Sequence, residues 1–122
     1  MIVGFTRSKR GVTPNPEDAA ALTGGKPELV KTTDAVVERR RRAHLNDMEN
    51  IIPFIGLLFM YALSGAGTAS CVTLVAQIFT AARVGHTVAY IGSVRQPARA
   101  IGFFVGLLCN LYLGAKVLIH MY

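Results

Sequence analysis

Acidic residues are absent from this 122-residue chain after Glu49: all seven lie between Glu17 and Glu49. Positive charge thins out as well, and from Ile51 to Tyr122 the only Lys or Arg residues are Arg83, Arg95, Arg99 and Lys116. Charged residues make up 16% of the chain and hydrophobic ones 52%, with a mean hydropathy of +0.41. That balance is too apolar for a small soluble domain, and a polar N-terminal third followed by an apolar remainder marks an integral membrane protein. A net charge of +6 would suit nucleic acid, but no soluble fold is left on which to mount a basic patch, so nucleic-acid binding is excluded. Cysteine is scarce too. Cys71 and Cys109 lie in apolar segments with no CxxC spacing and no nearby His pattern, which excludes a zinc site and leaves two small buried hydrophobes. The opening "MIVGF" is too short for the apolar core of a signal peptide and runs straight into "TRSKR", so no cleavable leader is expected.

The length suits one domain in two parts. Residues 1–37 read as an apolar stub, Met1 to Phe5, and a polar cytosolic loop, in which "GVTPNPED" and "TGGKPE" act as breakers. Residues 38–122 read as a transmembrane helical domain with helices at about 38–64, 68–91 and 97–119. Thr33 or Asp34 is the expected N-cap of the first, and Pro97 is allowed in the first turn of the third. Each apolar segment, ends included, holds about twenty residues, enough for roughly 30 Å of hydrocarbon; the first is the shortest. The positive-inside rule puts the loop before the first helix and the turn around Arg95 and Arg99 in the cytosol. The polar residues at the start of the first helix, the end of the second and the start of the third then share one side of the membrane.

Arg39, Arg42, Asn46, Glu49 and Pro53 follow a 3-4-3-4 rhythm on one helix face, with Pro53 expected to kink or open its turn. Arg83, His86 and Tyr90 share a face of the second helix, with Arg83 roughly 10 Å deep. A buried Arg costs about 2.5–3.5 kcal/mol or more in a membrane helix unless it is paired or faces a wet cavity. Ordinary readings stand beside a functional one: Arg39 to Arg42 as a topology flank, Arg83 snorkelling or paired with Glu49, His44 and His86 as helix contacts, Tyr90 as an interfacial aromatic. Three helices bringing arginine to one depth on one side nevertheless call for an anionic ligand. Ala98, Gly102, Gly106, Asn110 and Gly114 form a small-residue stripe on the third helix, echoed by Ala81, Gly85 and Ala89 on the second; both signal close packing.

"VERRRRAHLNDMENIIPF", "ARVGHTVAY", "RQPARAIGFFVG" and "NPED" closely resemble the membrane-associated eicosanoid and glutathione metabolism family, over nearly the whole chain. The resemblance implies a four-helix membrane bundle, a homotrimer, and glutathione bound near the cytosolic face between neighbouring subunits. It assigns glutathione contacts to Arg7, Arg42, His44, Asn46, Glu49, Arg83, His86 and Tyr90, and Arg99 to the cation that ionises the thiol. Arginines suit the two carboxylates of glutathione, and Glu49 or Asn46 suits its ammonium. Ala100, Phe103 and Leu45 depart from the prostaglandin-synthase branch, so the microsomal glutathione-transferase branch is expected, with lipophilic electrophiles or lipid hydroperoxides as second substrates arriving through membrane lipid. Members carry a full transmembrane helix ahead of "NPED" where this chain has "MIVGF", so a shortened member is expected. A non-catalytic subunit that binds glutathione weakly or modulates full-length partners is the alternative. The expected location is the endoplasmic reticulum membrane or the mitochondrial outer membrane.

Overall fold

The computed structural model describes residues 2–15, 17–19, 31 and 33–122, and among them it is helical with no strand. The long elements are α1 (Ile2–Arg10), α2 (Ala35–Ser64), α3 (Ala69–Ile91) and α4 (Ala98–Met121). The "TGGKPE" breaker lies outside the described residues. The chain was expected as one domain; it divides into two compact units, one up to His44 and the other Leu45–Tyr122. The division falls within α2, just after its run of arginines.

The first unit corrects the expectation of a loop from Thr6 onward. Thr6 donates its hydroxyl to the Ile2 carbonyl at 2.6 Å, and "TRSKR" offers no breaker before Gly11, so the helix runs on through Arg7 to Arg10. Basic residues in that last turn also suit the negative end of the helix dipole. Gly11 then ends α1 at φ 63°, with its N–H on the Ser8 carbonyl and the Val12 N–H on that of Arg7, a Schellman closure. Asp34 caps α2: its Oδ1 accepts from the amides of Val36 and Val37 at 2.9 and 3.1 Å, while Arg10 Nη1 donates to Oδ2 at 3.1 Å. Arg40 donates to the Thr6 hydroxyl, and Val37 and Ala43 are buried on that side of α2.

In the second unit α2, α3 and α4 are joined by short turns and run antiparallel. Thr68 caps α3 by accepting from the Cys71 amide at 3.3 Å. The core is Phe54, Tyr61, Val75, Phe79, Cys109, Leu113 and Val117, with the rings of Phe54 and Phe79 stacked at 3.7 Å. Helix α2 is continuous through Pro53, and Asn110 donates to the Asn50 carbonyl beside it at 3.3 Å. The small-residue stripes of α3 and α4 differ in use. A Cβ on Gly102 would lie 2.9 Å from both the Ala82 carbonyl oxygen and His86 Cβ, so bare backbone is required there for α3 and α4 to meet. A Cβ on Gly85 would meet nothing within 4 Å.

Among the described residues two helices, α3 and α4, are long and apolar enough to cross a membrane. The uncharged part of α2, residues 51–64, is only about 21 Å long. Large apolar side chains point outward from the bundle, among them Val88 at 64% exposure and Leu108 at 62%. In water such a surface would aggregate, whereas in lipid it is the solvated face. The protein is an all-α integral membrane bundle.

Gly102→Val is expected to destabilise the bundle by about 1–3 kcal/mol through forced separation of α3 and α4, and Gly85→Ala to stabilise it slightly, both read by thermal unfolding in detergent. The amide bonds from Val37 and Val36, with the Arg10 contact, hold the Asp34 carboxyl below its ordinary 3.8. Because the folded value is lowered, this support of α2 is complete above 3.8 and is lost as the pH falls through the lowered value. NMR of the Val36 and Val37 amides should show one titration with its midpoint under 3.8, absent in Asp34→Asn.

Candidate functional site

Arg83 enters α3 at a buried position and is 4% exposed. Its guanidinium meets α2: Nε donates to Asp47 Oδ1 at 3.1 Å and Nη2 to Asn46 Oδ1 at 2.8 Å, with a further bond from Nη2 to Asp47. Thr87, one turn along α3, donates to the other Asp47 oxygen at 2.7 Å. The partner of Arg83 is therefore Asp47 and not Glu49, which is exposed. Two residues of helix turn the direction by about 200°, so Asp47 and Glu49 leave α2 on nearly opposite sides. Arg83 Nη1 remains buried without a partner.

His86, one turn from Arg83, is also 4% exposed. Its Nδ1 lies 2.8 Å from the Arg99 carbonyl oxygen; a carbonyl only accepts, so Nδ1 carries the hydrogen, and neutral imidazole then has its lone pair on Nε2. Nε2 is buried with no partner. Arg99 turns its side chain over the Tyr90 ring, with Cζ 4.9 Å from the centroid, and its own Nε is buried and unpartnered. Gln96 accepts from the Ala100 amide at 3.2 Å, capping the first turn of α4. These residues surround a cavity of about 370 Å³, with Asn46, His86, Tyr90, Gln96 and Arg99 on the polar side and Ala100, Phe103 and Phe104 on the apolar side. The volume falls within the roughly 300–1,000 Å³ of small-molecule sites. A cation held by an aromatic face, an imidazole lone pair and two amides suit an anionic, hydrogen-bonding ligand with an acidic thiol. The Phe wall suits an apolar reactant beside it.

The sequence expectations divide accordingly. Asn46, His86, Tyr90 and Arg99 line the cavity, whereas Arg83 reaches it only by holding Asn46. Arg42 and His44 are exposed on α2, and Arg7 is half-buried in the first unit. Asp47, Thr87 and Gln96 were missed. Asp47 had a signal: a carboxylate inside "HLNDMEN" ahead of an apolar run needs a cationic partner, but spacing alone favoured the face of Glu49. Gln96 sits in a turn whose conformation the sequence pattern does not disclose.

Fold and cavity together define a membrane helical bundle with a polar pocket where α3 ends and α4 begins. The chain belongs to the MAPEG family, whose pattern matches residues 1–119. It is 50% identical over 105 residues to the microsomal glutathione S-transferase 1 of Homo sapiens and 47% identical over 105 residues to that of Rattus norvegicus, in each case covering 84% of this chain and 66% of the relative. It is 40% identical over 103 residues to the prostaglandin E synthase of Homo sapiens, covering 84% and 65%. The chain thus spans just under two thirds of the length of the curated relatives it matches. The family resemblance carried by "VERRRRAHLNDMENIIPF", "ARVGHTVAY" and "RQPARAIGFFVG" is borne out.

Replacing Asp47 by Ala leaves Arg83 buried without its carboxylate and should cost about 3–5 kcal/mol in chemical unfolding. The paired Asp47→Leu/Arg83→Met chain should recover most of that loss, because two apolar side chains need no compensation.

Proposed function

We propose that this chain is a glutathione transferase that conjugates glutathione to lipophilic electrophiles, with glutathione peroxidase activity on lipid hydroperoxides as a second use of the same thiolate. The observation that carries the reading is the pair of buried, unpartnered nitrogens, His86 Nε2 and Arg99 Nε, beside a cavity of tripeptide scale. The microsomal glutathione S-transferases among its relatives support it. Arg99 is the catalytic cation: a guanidinium close to the thiol favours the thiolate, which is the nucleophile. Asn46, His86 and Tyr90 bind and orient the peptide, and Gln96 holds the turn that presents Arg99. Arg83 acts as a positioning residue through Asn46 and Asp47.

In conjugation, a sulfur–carbon bond forms as the leaving group departs with its electron pair. In hydroperoxide reduction the thiolate attacks the peroxide oxygen and the alcohol leaves. A second glutathione then closes the disulfide and releases water. Ala100, Phe103 and Phe104 offer the second substrate an apolar approach. Arg7, Arg42, His44 and Glu49 complete the binding set where neighbouring subunits of a homotrimer share it. In this reading α2, α3 and α4 all cross an intracellular membrane, that of the endoplasmic reticulum, with their arginine-bearing ends in the cytosol.

Conjugation of glutathione to a chlorodinitrobenzene by detergent-purified protein tests the proposal. Arg99→Ala should lower kcat/KM by about 10²–10³-fold, and Tyr90→Phe, which keeps the ring under Arg99, by only a few-fold. Glutathione binding without turnover in the parent chain would favour a non-catalytic subunit, and absence of both would overturn the reading.

A further inference from the structure

The charged turns of α2 lie at a definite depth if that helix crosses the bilayer, as proposed above. Twenty residues counted back from Ser64 make roughly 30 Å of helix and bring the hydrocarbon boundary to Leu45. Arg39 to Arg42 then lie about 4–9 Å beyond it, in the layer of about 5–8 Å that headgroups occupy on each side. Four consecutive arginines sweep about 300° around a helix, so cationic groups leave it in nearly every direction at phosphate depth.

Among its described residues the first unit carries more cations than carboxylates. Its described residues include eight Lys or Arg and four Asp or Glu. Asp34 is taken by the α2 cap and Arg10, Glu38 by Arg41 at 2.9 Å, Asp18 accepts from Asn15 at 3.0 Å, and Glu17 is exposed. Among the described residues Lys9 and Arg40 meet no carboxylate. Arg40 is half-buried, donates to the neutral hydroxyl of Thr6, and keeps its Nε buried and unpartnered. A half-buried cation with no described anion beside it is costly, so the arrangement favours a negative group supplied from outside. Lys9 leaves α1 one turn after Thr6, on the face that also carries exposed Ile2 and Phe5. An apolar patch followed by a cation along one helix face is the pattern of a segment lying in a lipid interface.

We infer that the basic start of α2, with α1, is a docking surface for the headgroups of anionic phospholipids, in which Arg40 and Lys9 hold the phosphate and its additional negative charge. A zwitterionic headgroup brings the same phosphate with its own cation and is held less well. Each cation near an anionic membrane surface contributes about five-fold in lipid preference.

Native mass spectrometry of the full chain released from phosphatidylcholine nanodiscs carrying a minor share of phosphatidylserine reads the lipids that stay bound. The expected result is enrichment of phosphatidylserine over its share, falling about five-fold in each of Lys9→Gln and Arg40→Gln and persisting in Arg40→Lys. Equal retention of the two lipids, or an enrichment that Lys9→Gln and Arg40→Gln leave intact, would overturn the inference. So would loss in Arg40→Lys equal to that in Arg40→Gln, which would mark a structural role. Glutathione conjugation by the same preparations, and protection of a cysteine placed at Leu58 from a water-soluble maleimide, report separately on the transferase reading and on the crossing of α2.

Discussion

A guanidinium carried well inside an apolar helix has to be matched before that helix can pack, and most of the second unit is arranged around meeting this need for Arg83. Asp47 supplies the charge, Asn46 a further acceptor, and Thr87 occupies the oxygen that Arg83 leaves open. None of these groups is satisfied alone in a low-dielectric setting, where an unmatched ion costs several kcal/mol. Together they tie α2 to α3 at one register. Below them the stacked rings of Phe54 and Phe79 continue the same contact in apolar form. The polar cluster selects the register and the rings fill it.

The cavity follows from that register and from one glycine. At Gly102 the two helices approach so closely that a methyl group would strike the Ala82 carbonyl and His86. The approach brings the imidazole of His86 to the carbonyl of Arg99 and fixes which nitrogen carries the hydrogen. It also sets Tyr90 beneath the Arg99 side chain. Helix α3 thus orients both the backbone and the side chain of the residue to which the thiol chemistry is assigned. The unpartnered nitrogens that remain are costly in a bundle without a ligand and useful in one that binds it: Arg99 Nε offers a donor to an anion and His86 Nε2 an acceptor to an N–H or S–H.

Much of this was legible in the sequence because membrane helices are governed by composition. The loss of carboxylates after Glu49 and the long apolar runs imply helices, since a chain in lipid must satisfy its backbone internally. Helical spacing placed Arg83, His86 and Tyr90 on one face. It failed at Glu49, where a rhythm of threes and fours picked out a face without showing which face met α3. It also failed at Thr6 to Arg10, where neighbouring breakers suggested a loop although the helix had no reason to stop before Gly11.

By itself, then, the sequence determined the membrane class, the helices of the second unit and the family, because hydropathy, charge placement and long motifs are local properties. Only the tertiary structure decided that Asp47 rather than Glu49 neutralises Arg83, that Gly102 and not Gly85 is the point of closest approach, and that Gln96 belongs beside Arg99. Those outcomes depend on how one helix is rotated against another, which is settled by packing and by the cost of burying an unmatched charge.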